Sequence, residues 1–300
     1  MLPSTRGNLN RSSLIPTFPS QEFPMRTLLT AGMLAAFAAF AAAPNPVAPD
    51  PATPRPIAVR ESVFTEDMTW MEIRDAMKAG KDTILIATGG LEQNGPYLVT
   101  NKHNIVLRGT TEAIARKLGD TLVAPIIPFV PEGNFDPPTE HMKYAGSVGL
   151  TEETYERLLV DIVTSFQVTG FKHIVLIGDS GGNQKGMKAV AQQLNAKWKD
   201  KGAKVSFVPE YYNYGDVAKF LESNGIKQEN EGLHDDFGMT AVMLSIDPNS
   251  VRMKERQAAG KFRINGIDLD PVEKTREWGK RIIDFRTKVA VEAIQKARGK

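Results

Sequence analysis

Apolar residues along this chain follow two rhythms that alternate. Thr83-Ile-Leu-Ile-Ala-Thr88 is a continuous apolar run halted by Gly89-Gly90, and His173-Ile-Val-Leu-Ile177 is a second run halted by Gly178. Short, β-branched runs that end on glycine predict strands buried on both faces. Around them apolar positions recur at helical spacing. Thr69–Lys78 closes at Gly80, Ile105–Leu118 closes at Gly119, and Gln184–Lys199 follows the second run. Another helix is capped by Thr151, carries Glu152 and Glu153 in its first turn as the helix dipole favours, and ends at Gly170. Lys204–Pro209 predicts a further strand, Thr121–Val130 a strand interrupted by Pro125 and Pro128, and residues 131–149 a long loop. Beyond residue 210 the pattern weakens to helices at 214–223, 239–246 and 271–297, with a loop carrying Glu231-Gly-Leu-His-Asp-Asp236. Strands alternating with helices predict an α/β class: a single domain with a mostly parallel sheet and helices on both faces.

The amino-terminal end departs from this rhythm. A basic start at Met25-Arg26 leads into an alanine-rich apolar run, Leu28–Ala43, with small residues at the cleavage options Ala39-Phe40-Ala41. This reads as a secretory signal peptide, too short to span a bilayer, with Met25 a candidate start; an uncleaved anchor or a transit peptide is the alternative. The expected organisation is an extension and signal peptide at 1–43, a proline-rich linker at 44–62 and the α/β domain at 63–300. It places the mature protein in the periplasm or outside the cell, with no membrane attachment after cleavage.

Composition narrows the chemistry. The net charge is +2 and the basic residues are scattered without interleaved aromatics, which argues against nucleic-acid binding. With no cysteine and four histidines, oxygen and imidazole are the strong metal ligands left.

Polar residues bunch at the predicted strand ends, where open α/β sheets bind their ligands. Glu92-Gln-Asn94 and His103 follow the first strand, Asp179, Ser180 and Asn183 follow the run at 173, and His234-Asp-Asp236 lies in the later loop. Carboxylates and imidazoles converging on one rim are what a metal or acid–base site needs. Each also has a plainer reading. Glu92 can receive backbone N–H groups, His103 can be a solvent-facing helix residue, His141 can line the pocket, His173 can be structural, and Tyr97, Tyr211 and Tyr212 can be core.

Three motifs, in order and spacing, resemble the creatininase family of metal-dependent amidohydrolases. Gly90-Leu-Glu-Gln-Asn-Gly-Pro-Tyr-Leu98 is similar to the family's Gly-x-x-Glu-Gln-His-Gly-Pro-His-Leu, Glu140-His-Met-Lys-Tyr-Ala-Gly146 to Glu-His-x-x-Phe-Pro-Gly, and Gly178-Asp-Ser-Gly-Gly-Asn183 to Asn-Gly-His-Gly-Gly-Asn. The likeness runs from about residue 67 to 250. It implies hydrolysis of a C–N amide bond in a small or cyclic substrate, a divalent metal, and a homo-oligomer, commonly a hexamer. The departures fall on the metal ligands. The family's Glu is kept as Glu92, but its first His is Asn94, its bridging Asp is His103, its turn His is Ser180, and the Glu of its His-Ala-Gly-x-x-Glu-Thr is Met239. The resemblance together with the nearby acids leads to a moved site holding one Zn or Mn through Glu92, His103, Asp179 and Asp235. His234, oriented by Asp235 or Asp236, would be its general base.

Two other readings stand beside it. Gly178-Asp-Ser180-Gly-Gly182 fits the GxSxG nucleophile elbow in a strand–turn–helix setting, which would make Ser180 the nucleophile of a serine hydrolase. The lost ligands also fit a creatininase-like protein that binds without catalysis.

Overall fold

The computed structural model describes residues 48–199 and 201–299, so the expected signal peptide and the start of the linker lie outside the described residues. The compact α/β unit begins at Pro54. Helix α1 (Trp70–Lys78) opens with a capping box in which the Thr69 hydroxyl and the Glu72 carboxylate each satisfy the other's backbone N–H. Strand β1 (Thr83–Thr88) follows, then α2 (Lys102–Leu118) and β2 (Thr121–Val123). Next come α3 (Glu152–Val168), β3 (His173–Gly178), α4 (Gln184–Lys197) and β4 (Lys204–Phe207). The four strands form one sheet in the order β2-β1-β3-β4, parallel throughout.

Strand alternation assigns the two faces. Ile84, Ile86, Ile174 and Leu176 point to a core shared with Tyr155, Leu159 and Val163 of α3 and Met187, Val190 and Leu194 of α4. Leu85, Ala87, Val175 and Ile177 point the other way, against Leu107 and Ile114 of α2 and Ala290, Val291 and Ile294 of α8 (Val272–Arg298). Both faces are therefore covered, which is why β1 and β3 read as unbroken apolar runs.

Beyond β4 the chain leaves the sheet. Helices α5 (Tyr214–Ser223), α6 (Phe237–Ile246) and α7 (Met253–Ala258), with the short antiparallel pair β5 (Arg263–Ile264) and β6 (Ile267–Asp268), pack with α2 and α8 around a second core. Helix α6 is apolar nearly all round and buried from Phe237 to Leu244. The strand expected over 121–130 is three residues long, because Pro125 and Pro128 cannot donate to a ladder; isolated bridges, Thr88 to Ile127 and Val130 to Gly149, continue the pairing. Helix α2 starts three residues earlier than the periodicity indicates, so Lys102 and His103 sit in its first turn, at the carboxyl rim of the sheet. Among the described residues no helix is long and apolar enough to cross a membrane.

Candidate active site

The carboxyl ends of β1 and β3 open into a cavity of about 760 Å³ lined by polar side chains from both halves of the unit. At its base is Glu92, buried just past β1. Four cationic or imidazole groups converge on its carboxylate. Oε1 hydrogen-bonds His103 Nε2 at 2.8 Å, is ion-paired with the Lys102 ammonium at 3.1 Å, and lies 3.6 Å from His234 Nδ1; Oε2 lies 3.2 Å from His141 Nε2. Burial alone would raise the pKa of Glu92, but the His103 hydrogen bond and the positive charges of His103 and Lys102 hold it well below the usual carboxylate range.

His103 continues the chain inward. Its Nδ1 meets Asp179 Oδ2 at 2.8 Å, so each ring nitrogen faces a carboxylate oxygen, an arrangement that favours the charged ring. Burial and Lys102 oppose that charge, yet Asp179 and Glu92 win and raise the pKa. Asp179 is wholly buried at the tip of β3, paired with the Arg286 guanidinium from α8 and accepting from the Tyr214 hydroxyl at 3.0 Å. Arg286 in turn lies over the rings of Tyr211 and Tyr214.

The Gly178–Asn183 turn has its own constraints. The Asn183 amide donates to the carbonyls of Thr88 and Gly89, tying the turn to β1. A side chain at Gly182 would come within 2.5 Å of the Pro131 carbonyl, so only glycine permits that approach. Ser180 lines the cavity, but among the described residues no histidine hydrogen-bonds its hydroxyl: His103 is spent on two carboxylates, and His234 Nδ1 meets the Gln93 carbonyl at 2.9 Å.

The expected ligand set is therefore divided. Glu92, His103 and Asp179 are brought together, but as a hydrogen-bonded relay in which both His103 nitrogens are already occupied. Asp235 points elsewhere, paired with the buried Arg256, and Asp236 is the N-cap of α6, accepting from the Met239 N–H at 2.6 Å. Neither aspartate orients His234 as a base. The set that does converge is Glu92, His141 and His234, each offering one ligand atom within 4.8 Å of the others. His141 sits on a turn of 3-10 helix, Glu140–Lys143, within the long loop, and its ring lies 4.7 Å from that of His234.

Sequence reasoning passed over two residues. Glu132 is buried against Gly90, where a side chain would run into its Oε1; burial and then the charge of Glu92 push its pKa up to about 8. Lys102 was hidden by its type, since a lysine beside a polar loop reads as solvated surface. The signal for it is position: it shares with His103 the first turn of a helix that begins at the rim.

The profile of the Creatininase family, creatinine amidohydrolase, matches residues 66–294. The chain belongs to the creatininase family. A 3-dehydro-scyllo-inosose hydrolase of Thermotoga maritima is 27% identical over 186 residues, 62% of this chain and 57% of that one. A mycofactocin precursor peptide peptidase of Mycobacterium ulcerans is 26% identical over 128 residues, 40% of this chain and 48% of that one. The chain thus spans about half the length of the curated relatives it matches. Among solved structures, a manganese creatininase superposes with a TM-score of 0.61 and a zinc–zinc creatininase variant with 0.60, each at 19% identity over 79% of this chain and 98% of the other. At that identity the likeness establishes the fold.

The donor set fits one divalent ion. A carboxylate with two imidazoles is the combination of mononuclear hydrolytic zinc sites. His234, whose pKa burial and Lys102 lower, is held neutral, the form in which an imidazole can coordinate. The Gln93 carbonyl, on His234 Nδ1, would orient the ring of an imidazole that coordinated through Nε2. Among the described residues no second group of three such ligand atoms converges. The Asn94 NH2 donates to the carbonyls of Glu92 and Val99, and His103 lies locked between Glu92 and Asp179.

Proposed function

We propose that this protein is a metal-dependent hydrolase cleaving a C–N amide bond of a small or cyclic substrate, with one Zn or Mn held by Glu92, His141 and His234. The observation that carries this reading is the convergence of those three side chains at the sheet's carboxyl rim, where His141 and His234 line a polar cavity and the buried Glu92 lies against both. It is supported by the amidohydrolase family and by relatives whose names record hydrolysis, one of them of a peptide. When bound, a divalent ion at such a site supplies Lewis acidity to a carbonyl and to water.

The chain's own residues supply the rest. His103 and Lys102 fix Glu92 Oε1 and keep the carboxylate ionised, leaving Oε2 turned toward His141. Glu132, protonated at neutral pH beside Glu92, holds a proton at the cavity wall for a leaving nitrogen. The Gly181-Gly182 backbone forms the rim without side chains, so a flat substrate can approach closely. The cavity volume lies within the range of small-molecule sites.

The reading extends to export and assembly. The Arg26 start and the alanine-rich run support secretion or delivery to the periplasm. Exposed Phe129, Phe135, Tyr144 and Val148, all between β2 and α3, support association of copies into a homo-oligomer.

The test is elemental analysis of protein purified without chelator. About one equivalent of a divalent transition metal is expected, lost in Glu92→Ala and in His141→Ala. Protein that stays metal-free after incubation with zinc or manganese would move the assignment to a non-enzymatic binding role.

A further inference from the structure

Lys102 is a lysine where lysines are rarely found. Its side chain is 5% exposed, it lines the floor of the main cavity, and its one partner among the described residues is Glu92 Oε1. An ammonium has three N–H donors, and a single carboxylate oxygen leaves donors to spare. Burying such a charge costs several kcal/mol unless partners compensate it.

The other charged groups nearby have fixed partners. Asp179 is matched by Arg286 and Asp235 by Arg256, while Glu92 is shared between His103 and Lys102. Among the described residues that line the cavity, Lys102 is the only lysine or arginine, and the acids Glu140 and Asp236 lie on the same lining without an ion pair to it.

We infer that Lys102 is the anion anchor of this site and that the substrate is a small amide bearing a carboxylate, which the Lys102 ammonium receives while the amide lies against Glu92, His141 and His234. The carboxylate takes up N–H donors that Glu92 leaves free and orients the amide for attack. The substrate class rests on the amide-hydrolase reading above; the anion anchor does not depend on the metal.

The experiment is calorimetric titration of the zinc-incubated full chain with succinamate, a carboxylate-bearing amide, and with butyramide, which has a methyl group in its place. Succinamate should bind roughly tenfold or more tightly than butyramide, as expected for a charge-assisted hydrogen bond. Lys102→Met should erase the preference, and Lys102→Arg should restore part of it. A preference that is absent, or that survives in Lys102→Met, would overturn the proposal. Zinc content in the same preparations separates the two readings. A Lys102-dependent preference in zinc-free protein would uphold the anchor and sink the one-metal reading, whereas full zinc without the preference would do the reverse. Should Lys102→Met fail to fold, a crystal of the wild type soaked in succinamate decides: a carboxylate on Lys102 Nζ is expected, and one bound anywhere else refutes the anchor.

Discussion

Ser180 shows why a motif needs its surroundings. A serine becomes a nucleophile when a base within hydrogen-bonding reach takes its proton. Here the strand–turn–helix setting of GxSxG is present, but both nitrogens of His103 face carboxylates and His234 Nδ1 faces the Gln93 carbonyl. A fluorophosphonate probe should therefore leave Ser180 unlabelled, and on the proposed one-metal reading Ser180→Ala should keep wild-type metal content and most of the turnover. Labelling of Ser180 by the probe, with loss of turnover in the alanine variant, would restore the serine mechanism. Much at this scale was legible in the chain. Glu92, Asp179, Ser180 and His234 do line or floor one site because each follows a predicted strand or loop at the carboxyl rim. What could not be read was direction. Asp235 and His234 are neighbours in sequence, yet one turns to Arg256 and the other to Gln93, a choice made by contacts with distant segments. The replacement of Asp235 by His141 in the converging set has the same origin.

At the level of elements, the site depends on α8 as much as on the strands. Arg286 reaches from that helix to Asp179 at the end of β3, so the last helix of the chain neutralises a carboxylate that would otherwise be buried uncompensated. Burial alone would raise the pKa of Asp179, but Arg286 and His103 overcome it and the net shift is downward. A carboxylate with a depressed folded pKa adds stability that is fully present above its unfolded pKa of about 3.9 and is lost as pH falls through the folded value. Wild-type stability should thus decline as pH falls below about 4. Asp179→Asn should flatten that part of the profile and cost about 3–5 kcal/mol at neutral pH, because Arg286 is left without its counter-charge. Chemical denaturation at several pH values measures both; an unchanged acid limb in the variant would contradict the pairing. The boundaries of β1 and of α5 agree with the apolar pattern, since local periodicity and glycine stops agree with tertiary burial there. Helix α7 and the β5–β6 pair were not legible, being too short to carry a periodic signal.

For the molecule as a whole, the parallel sheet with two covered faces follows from the alternation of apolar runs and amphipathic stretches, and the family resemblance agrees with it. The second core is the part least visible beforehand. It is assembled from α5, α6, α7, β5 and β6 with α2 and α8, elements far apart in sequence whose packing no local pattern encodes. The same assembly brings His234 and Met239 to the cavity wall, so the site depends on the second core being formed. The amino-terminal run sets a separate expectation. Protein isolated from its own host should begin between about Ala42 and Pro46, as mass spectrometry of the intact chain would show. A cytosolic protein that still carries Met1 would rule out export.

The central claim is that Glu92, His141 and His234 hold one divalent ion. Anomalous diffraction at the zinc edge, on crystals of the zinc-incubated protein, measures it directly. The account predicts a single strong peak about 2.0–2.2 Å from a Glu92 oxygen and from a nitrogen of each histidine. Two peaks within the cavity, a peak on Asp235 or Asp179, or none at all would contradict it.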